Sequence, residues 1–193
     1  MFISMVIQVF FGTLAFGTDF STYFGGLTAD EKPQNITRNN HYVVSNEAHQ
    51  YIFQSSISNK GGILVGVGSE QLYTFAGWMK PEILIPMDFD QYIVDLHKVY
   101  GILFQKASTP DEFVALWEEE NAVQVEKWVA EQHPEETKGI YKVFRFGRHH
   151  VWRHLRKLQI KNGKAGVQFF LNNQEMYDFC VSLHREGRVF SVR

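Results

Sequence analysis

Gly61-Gly62-Ile63-Leu64-Val65-Gly66-Val67-Gly68-Ser69-Glu70-Gln71 reads as a buried strand, a glycine turn and the start of a helix. The run Ile63 to Val67 is short and wholly apolar, as expected of a strand covered on both faces. Gly66 and Gly68 would let the backbone approach a ligand, and the helix start that follows can receive a phosphate or carboxylate. That helix is expected from about Glu70 to Met79, where Lys80-Pro81 ends it. Glu82 to Asp88 is a second buried strand, with Pro86 marking an irregularity near its end. Asp88 comes 22 positions after Gly66, where an acid at the tip of the next strand can hold both hydroxyls of a ribose. A tight turn with an incidental strand-end Asp explains the same residues. From about Gln91 to Gln105, Ile93, Leu96, Val99, Tyr100 and Leu103 recur at helical spacing. The alternation predicts a right-handed parallel α/β sheet.

Working outward, Ser45 can cap a helix over about Asn46 to Ser58, with Glu47 in its first turn. Asn46 and Glu47 are then either a cap with a dipole-compatible acid, or side chains that orient a ligand over the glycine turn. Downstream, Thr109-Pro110 opens another helix. A helical insertion is expected over residues 118–164, with acids gathered in its first half and Lys and Arg in its second. Ala165 to Leu171 reads as a strand, Asn173 caps a helix to about Arg185, and Arg188 to Arg193 reads as a final strand. A sequence that stops on a bare strand suggests a truncated sheet, or an edge covered by a partner.

Several of these pieces together resemble a bacterial family of uncharacterised proteins with a methyltransferase-like Rossmann fold. They are Tyr23-Phe24, Val44-Ser45-Asn46-Glu47, Gly62 to Gln71, Pro81 to Asp88, Leu96-His97-Lys98 and Phe170 to Glu175. The resemblance implies an α/β chain with a Rossmann-like sheet of the class I methyltransferase type, and S-adenosylmethionine as cofactor. It places Gly66, Gly68 and Glu70 beneath the methionine portion, Asp88 on the ribose, and Asn46 and Glu47 beside them. Two departures weaken the cofactor. Leu64 stands where such enzymes carry an acid for the amino group, and Glu70 stands where a third glycine is usual.

Other features narrow the classes. The chain has 193 residues, which suits one domain, and its formal net charge of −2 excludes a uniformly cationic nucleic-acid binder. The single cysteine, Cys180, excludes a disulfide framework and a multi-cysteine zinc site, and reads as a buried thiol. His150 and His154 have metal-ligand spacing on a helix, but no acid is close in sequence and cations crowd both sides, so they read as surface histidines. No metal is expected. The basic segment after Lys138 could touch nucleic acid or anionic lipid, but Val151, Trp152, Leu155 and Leu158 make an apolar stripe that favours packing. Residues 1–17 are apolar except for Ser4, Gln8 and Thr13, and read as a signal, a membrane anchor, a buried element or a mis-assigned start. Location therefore stays open between cytoplasmic and exported. Two functions remain: an S-adenosylmethionine- or nucleoside-binding methyltransferase of unknown substrate, and a non-catalytic interaction module on a degenerate version of that fold.

Overall fold

A computed structural model describes residues 19–31, 40–47, 49–160 and 166–193. The apolar segment 1–17 lies outside them. The expected pair of strands is present: β1 (Ile63–Val67) and β2 (Ile83–Met87) run parallel, with Ile63 opposite Ile83 and Val67 opposite Met87. Between them α3 (Gln71–Met79) makes the crossover, ended by Lys80 in the left-handed region at φ 55°. The preceding pieces are short, namely α1 (Ser21–Phe24), a 3-10 turn (Gln50–Phe53) and α2 (Gln54–Ile57). After β2 come α4 (Gln91–Lys106), α5 (Pro110–Ala115), α6 (Ala122–Gln132), α7 (Thr137–Ile160) and α8 (Gln174–Arg185). The last residues then run parallel beside β2, where Leu84 bridges Val189 and Met87 bridges Val192.

This is not the Rossmann-like sheet of a class I methyltransferase. Among the described residues one sheet of two short strands is present, widened only by those isolated bridges, and helices carry most of the chain. The expected strand from Ala165 to Leu171 accounts for part of the difference. Its described portion is irregular, and Phe169, Phe170 and Leu171 are buried in succession, which an alternating strand on a one-sided core cannot do. Asn172 bends it, its side chain accepting from the Phe169 amide at 2.7 Å. The expected helix at Asn46 to Ser58 is also absent as drawn. Ser45 to Glu47 are irregular, and the helical turns begin at Gln50.

Residues 118–160 are largely helical and join the main core. Ile140, Val143, Phe144, Val151 and Leu155 of α7 are fully buried, and α7 packs along α4. The charge division serves this packing. Arg145 on α7 makes two 2.6 Å bonds to Glu126 on α6, Arg148 pairs with Glu119, and Lys98 on α4 pairs with Glu136. The caps expected from sequence hold: Thr109 accepts from the Glu112 amide and Asn173 from the Met176 amide.

The core is aromatic and lies among the helices. Phe104 is at its centre, 4.5 Å from the Phe113 ring, 4.8 Å from Tyr73 and 5.0 Å from His184, centroid to centroid. Large buried rings remove much apolar area from water and add offset-stacking attraction. Phe104→Ala should therefore destabilise the fold by about 3–5 kcal/mol. A lowered urea midpoint with an unchanged slope would register it.

Candidate functional site

The sequence places its candidate residues at the carboxyl ends of two parallel strands, and the fold brings several of them together there. Gly68, at φ 101°, occupies a conformation that only glycine adopts without strain. Its amide and that of Asp90, the latter at 2.9 Å, hydrogen-bond the Asp88 carboxylate. Asp88 is buried, and burial raises its pKa against the lowering effect of these bonds. Gly66 serves packing, since a Cβ there would strike the Leu72 side chain of α3. Turn and strand-end acid are thus neighbours, as the spacing predicts, and bonded directly to each other.

Glu70 points inward. Its carboxylate is fully buried and accepts from Ser45 N at 3.0 Å, Ser69 Oγ at 2.7 Å and His154 Nε2 at 2.8 Å. Burial alone would raise its pKa, yet the His154 contact and these hydrogen bonds hold it below the usual carboxylate range. Ser45 Oγ also lies 2.5 Å from Gln71 Oε1 and accepts from the Glu47 amide. One acid therefore ties the helix start after the turn to the 40–47 segment and to α7. The reading of His154 as a plain surface residue is corrected here: it is half-buried and its acid arrives from 84 positions away.

From below, His97 closes the turn. Its Nε2 lies 2.7 Å from the Gly68 carbonyl, which can only accept, so Nε2 carries the proton and Nδ1 accepts from the Tyr73 hydroxyl at 3.0 Å. Asn46 and Glu47 are exposed. Asn46 lines a cleft of about 430 Å³ between the 40–47 segment and α7, together with His41, Tyr92, Phe146 and His150. None of the other five predicted residues lines it. In its wall His41 stacks on Tyr92, with ring centroids 4.0 Å apart, and bonds Asp90 at 2.7 Å. Sequence reasoning did not single out His41, Asp90 or the bond between His154 and Glu70. Their partners are remote in sequence, so no local spacing announces them.

Cys180 is buried, and burial pushes its thiol well up, leaving it unreactive. Among the described residues no group of three or more His, Cys, Asp or Glu could hold a metal ion, and no helix is long and apolar enough to cross a membrane.

A family model described as a domain of unknown function, DUF7790, matches residues 42–193. The chain belongs to this family. No curated protein matches it. The methyltransferase reading has no support in the DUF7790 match, and the small sheet removes the fold on which it rested.

Two predictions follow from the buried polar groups. Glu70→Leu leaves His154 without its acid and the Ser45 amide without its acceptor, and should cost about 3 kcal/mol in a denaturant titration. The second concerns acid sensitivity. Burial lowers His97 to about 4 and His184 to about 3. Below the ordinary histidine value near 6.5, the unfolded chain takes up protons that the folded chain refuses, so stability falls as pH drops from about 6.5 towards 4. Urea midpoints at pH 7.5, 6 and 5 should decline in that order, and His184→Phe should flatten the decline.

Proposed function

We propose that this DUF7790 domain is a non-catalytic interaction module that takes an extended apolar polypeptide segment along β1. The observation that carries the reading is the state of that strand. Ile63, Val65 and Val67 are 49, 52 and 56% exposed, on one face of a strand that among the described residues pairs with β2 alone. A row of β-branched side chains beside an unpaired edge is a surface that polypeptide strands complete by main-chain bonding and side-chain burial.

The turn supports the same reading from the other side. The polar groups that would greet a nucleoside are bonded within the protein: Glu70 to Ser45, Ser69 and His154, and Asp88 to the Gly68 and Asp90 amides. Detaching them would leave buried acceptors unpaired at a cost of about 1–3 kcal/mol each.

Titrating the full chain with S-adenosylmethionine should give no heat, whereas a Thr-Val repeat peptide of about ten residues with lysine ends should bind. Val65→Lys, at a half-exposed position, should keep the fold and weaken peptide binding at least tenfold. Saturable heat with S-adenosylmethionine, or peptide binding indifferent to Val65→Lys, overturns the reading.

A further inference from the structure

The cleft between the 40–47 segment and α7 opens beyond the carboxyl end of β2, the end of a parallel sheet where ligands are ordinarily held. None of the groups that fasten the glycine turn lines it. Its walls are fixed from behind. Asp90 caps α4, its Oδ1 accepting from the Tyr92 amide at 3.0 Å, and its Oδ2 holds His41 Nδ1 at 2.7 Å. The Tyr92 hydroxyl donates to the Lys142 carbonyl of α7 at 3.1 Å, which pins the ring on which His41 stacks. Val43 is buried facing Gly147, so the segment that carries His41 is seated on α7 as well.

On the α7 side Phe146 and His150, four apart on one face of the helix, line the cleft. Phe146 is 78% exposed, so its ring keeps most of its apolar area in water, and Tyr42 is exposed likewise. The volume of about 430 Å³ falls within the roughly 300–1,000 Å³ of small-molecule sites.

The hydrogen-bonding character of the cleft follows from the Asp90 contact. A carboxylate oxygen only accepts, so His41 Nδ1 carries the proton, and in the neutral ring Nε2 is an acceptor. Among the described residues Nε2 has no protein partner. With one edge on Asp90 and one face on Tyr92, His41 leaves its Nε2 edge and its second face to the cleft that it lines. The carboxylate behind the ring polarises the imidazole and strengthens that acceptor. Flat aromatic walls are best covered by a flat ring. A ring without a donor would take Nε2 out of water unpaired.

We propose that this cleft is a second binding site, for a small planar aromatic molecule with an N–H or O–H on its edge. The donor bonds His41 Nε2, and Phe146 covers the face of the ring. Asp90 is a positioning residue that keeps the imidazole in its accepting tautomer. The site stands apart from the strand-binding reading of β1, with which it shares no residue.

Indole and benzofuran are the probes, because they have one shape and differ in carrying an N–H donor or a ring oxygen. Titrated into the full chain and followed by amide NMR, indole should shift residues of the 40–47 segment, Tyr92 and the stretch from Phe146 to His150. It should bind about fivefold tighter than benzofuran, or better. His41→Phe keeps a ring against Tyr92 and removes the acceptor. It should bring indole to the affinity of benzofuran and leave benzofuran as it was, whereas a loss of packing alone would weaken both alike. If that variant unfolds, His41→Leu gives the same readout. Phe146→Ala, at an exposed position, should keep the fold and weaken both probes. Equal binding of the two probes by the unaltered chain, shifts centred elsewhere, or no binding of indole at millimolar concentration would overturn the proposal. So would a preference for indole that survives the loss of the His41 imidazole.

Discussion

A parallel strand cannot reach its neighbour by a tight turn, and the crossover it requires has a fixed hand. Here β1, β2 and the terminal segment step across the sheet in one direction. Each crossover consequently lands on the same side, with α3 first and α4 to α8 after β2. That constraint concentrates the aromatic core on one face, where Tyr73, Tyr100, Phe104, Phe113 and Phe170 are fully buried. On the other face Ile63, Val65 and Val67 of β1 remain about half exposed. Core and open surface are two results of one topological rule.

The polar interior follows from the same layering. The turn after β1 sits where the sheet, the 40–47 segment and α7 converge, so any acid there must be bonded or neutral. Glu70 remains ionised because His154, Ser69 and Ser45 replace the water it loses. The same bonds make it a fastening between segments far apart in sequence. His97 does comparable work beneath, bonding the Gly68 carbonyl in place of solvent. The buried groups of the turn are thus bonded within the protein, and the exposed apolar row of β1 lies apart from them.

Local patterns were legible. Both strands, their parallel relation, the helix between them, the caps at Thr109 and Asn173 and the proximity of Gly68 to Asp88 all follow from short-range spacing. Legibility failed where one pattern suits two outcomes. The run Val167 to Leu171 has strand composition, but its rings are all drawn into a helical core, and the Asn172 bend dissolves the alternation. Ile63 to Val67 looks buried on both sides because it is apolar on both sides, yet one side is open. Apolar composition reports what would gain from burial, not whether a neighbour is present to bury it.

The amino-acid sequence by itself determined the β-α-β unit, the glycine that the turn at residue 68 requires and the pairing of acidic with basic helices, since dihedral limits and periodicity act over a few residues. Tertiary structure alone decided that Glu70 turns inward to His154 and that one face of β1 stays open. Those outcomes depend on which segments meet across tens of positions, and chain connectivity with packing sets those meetings, not the preference of any single residue.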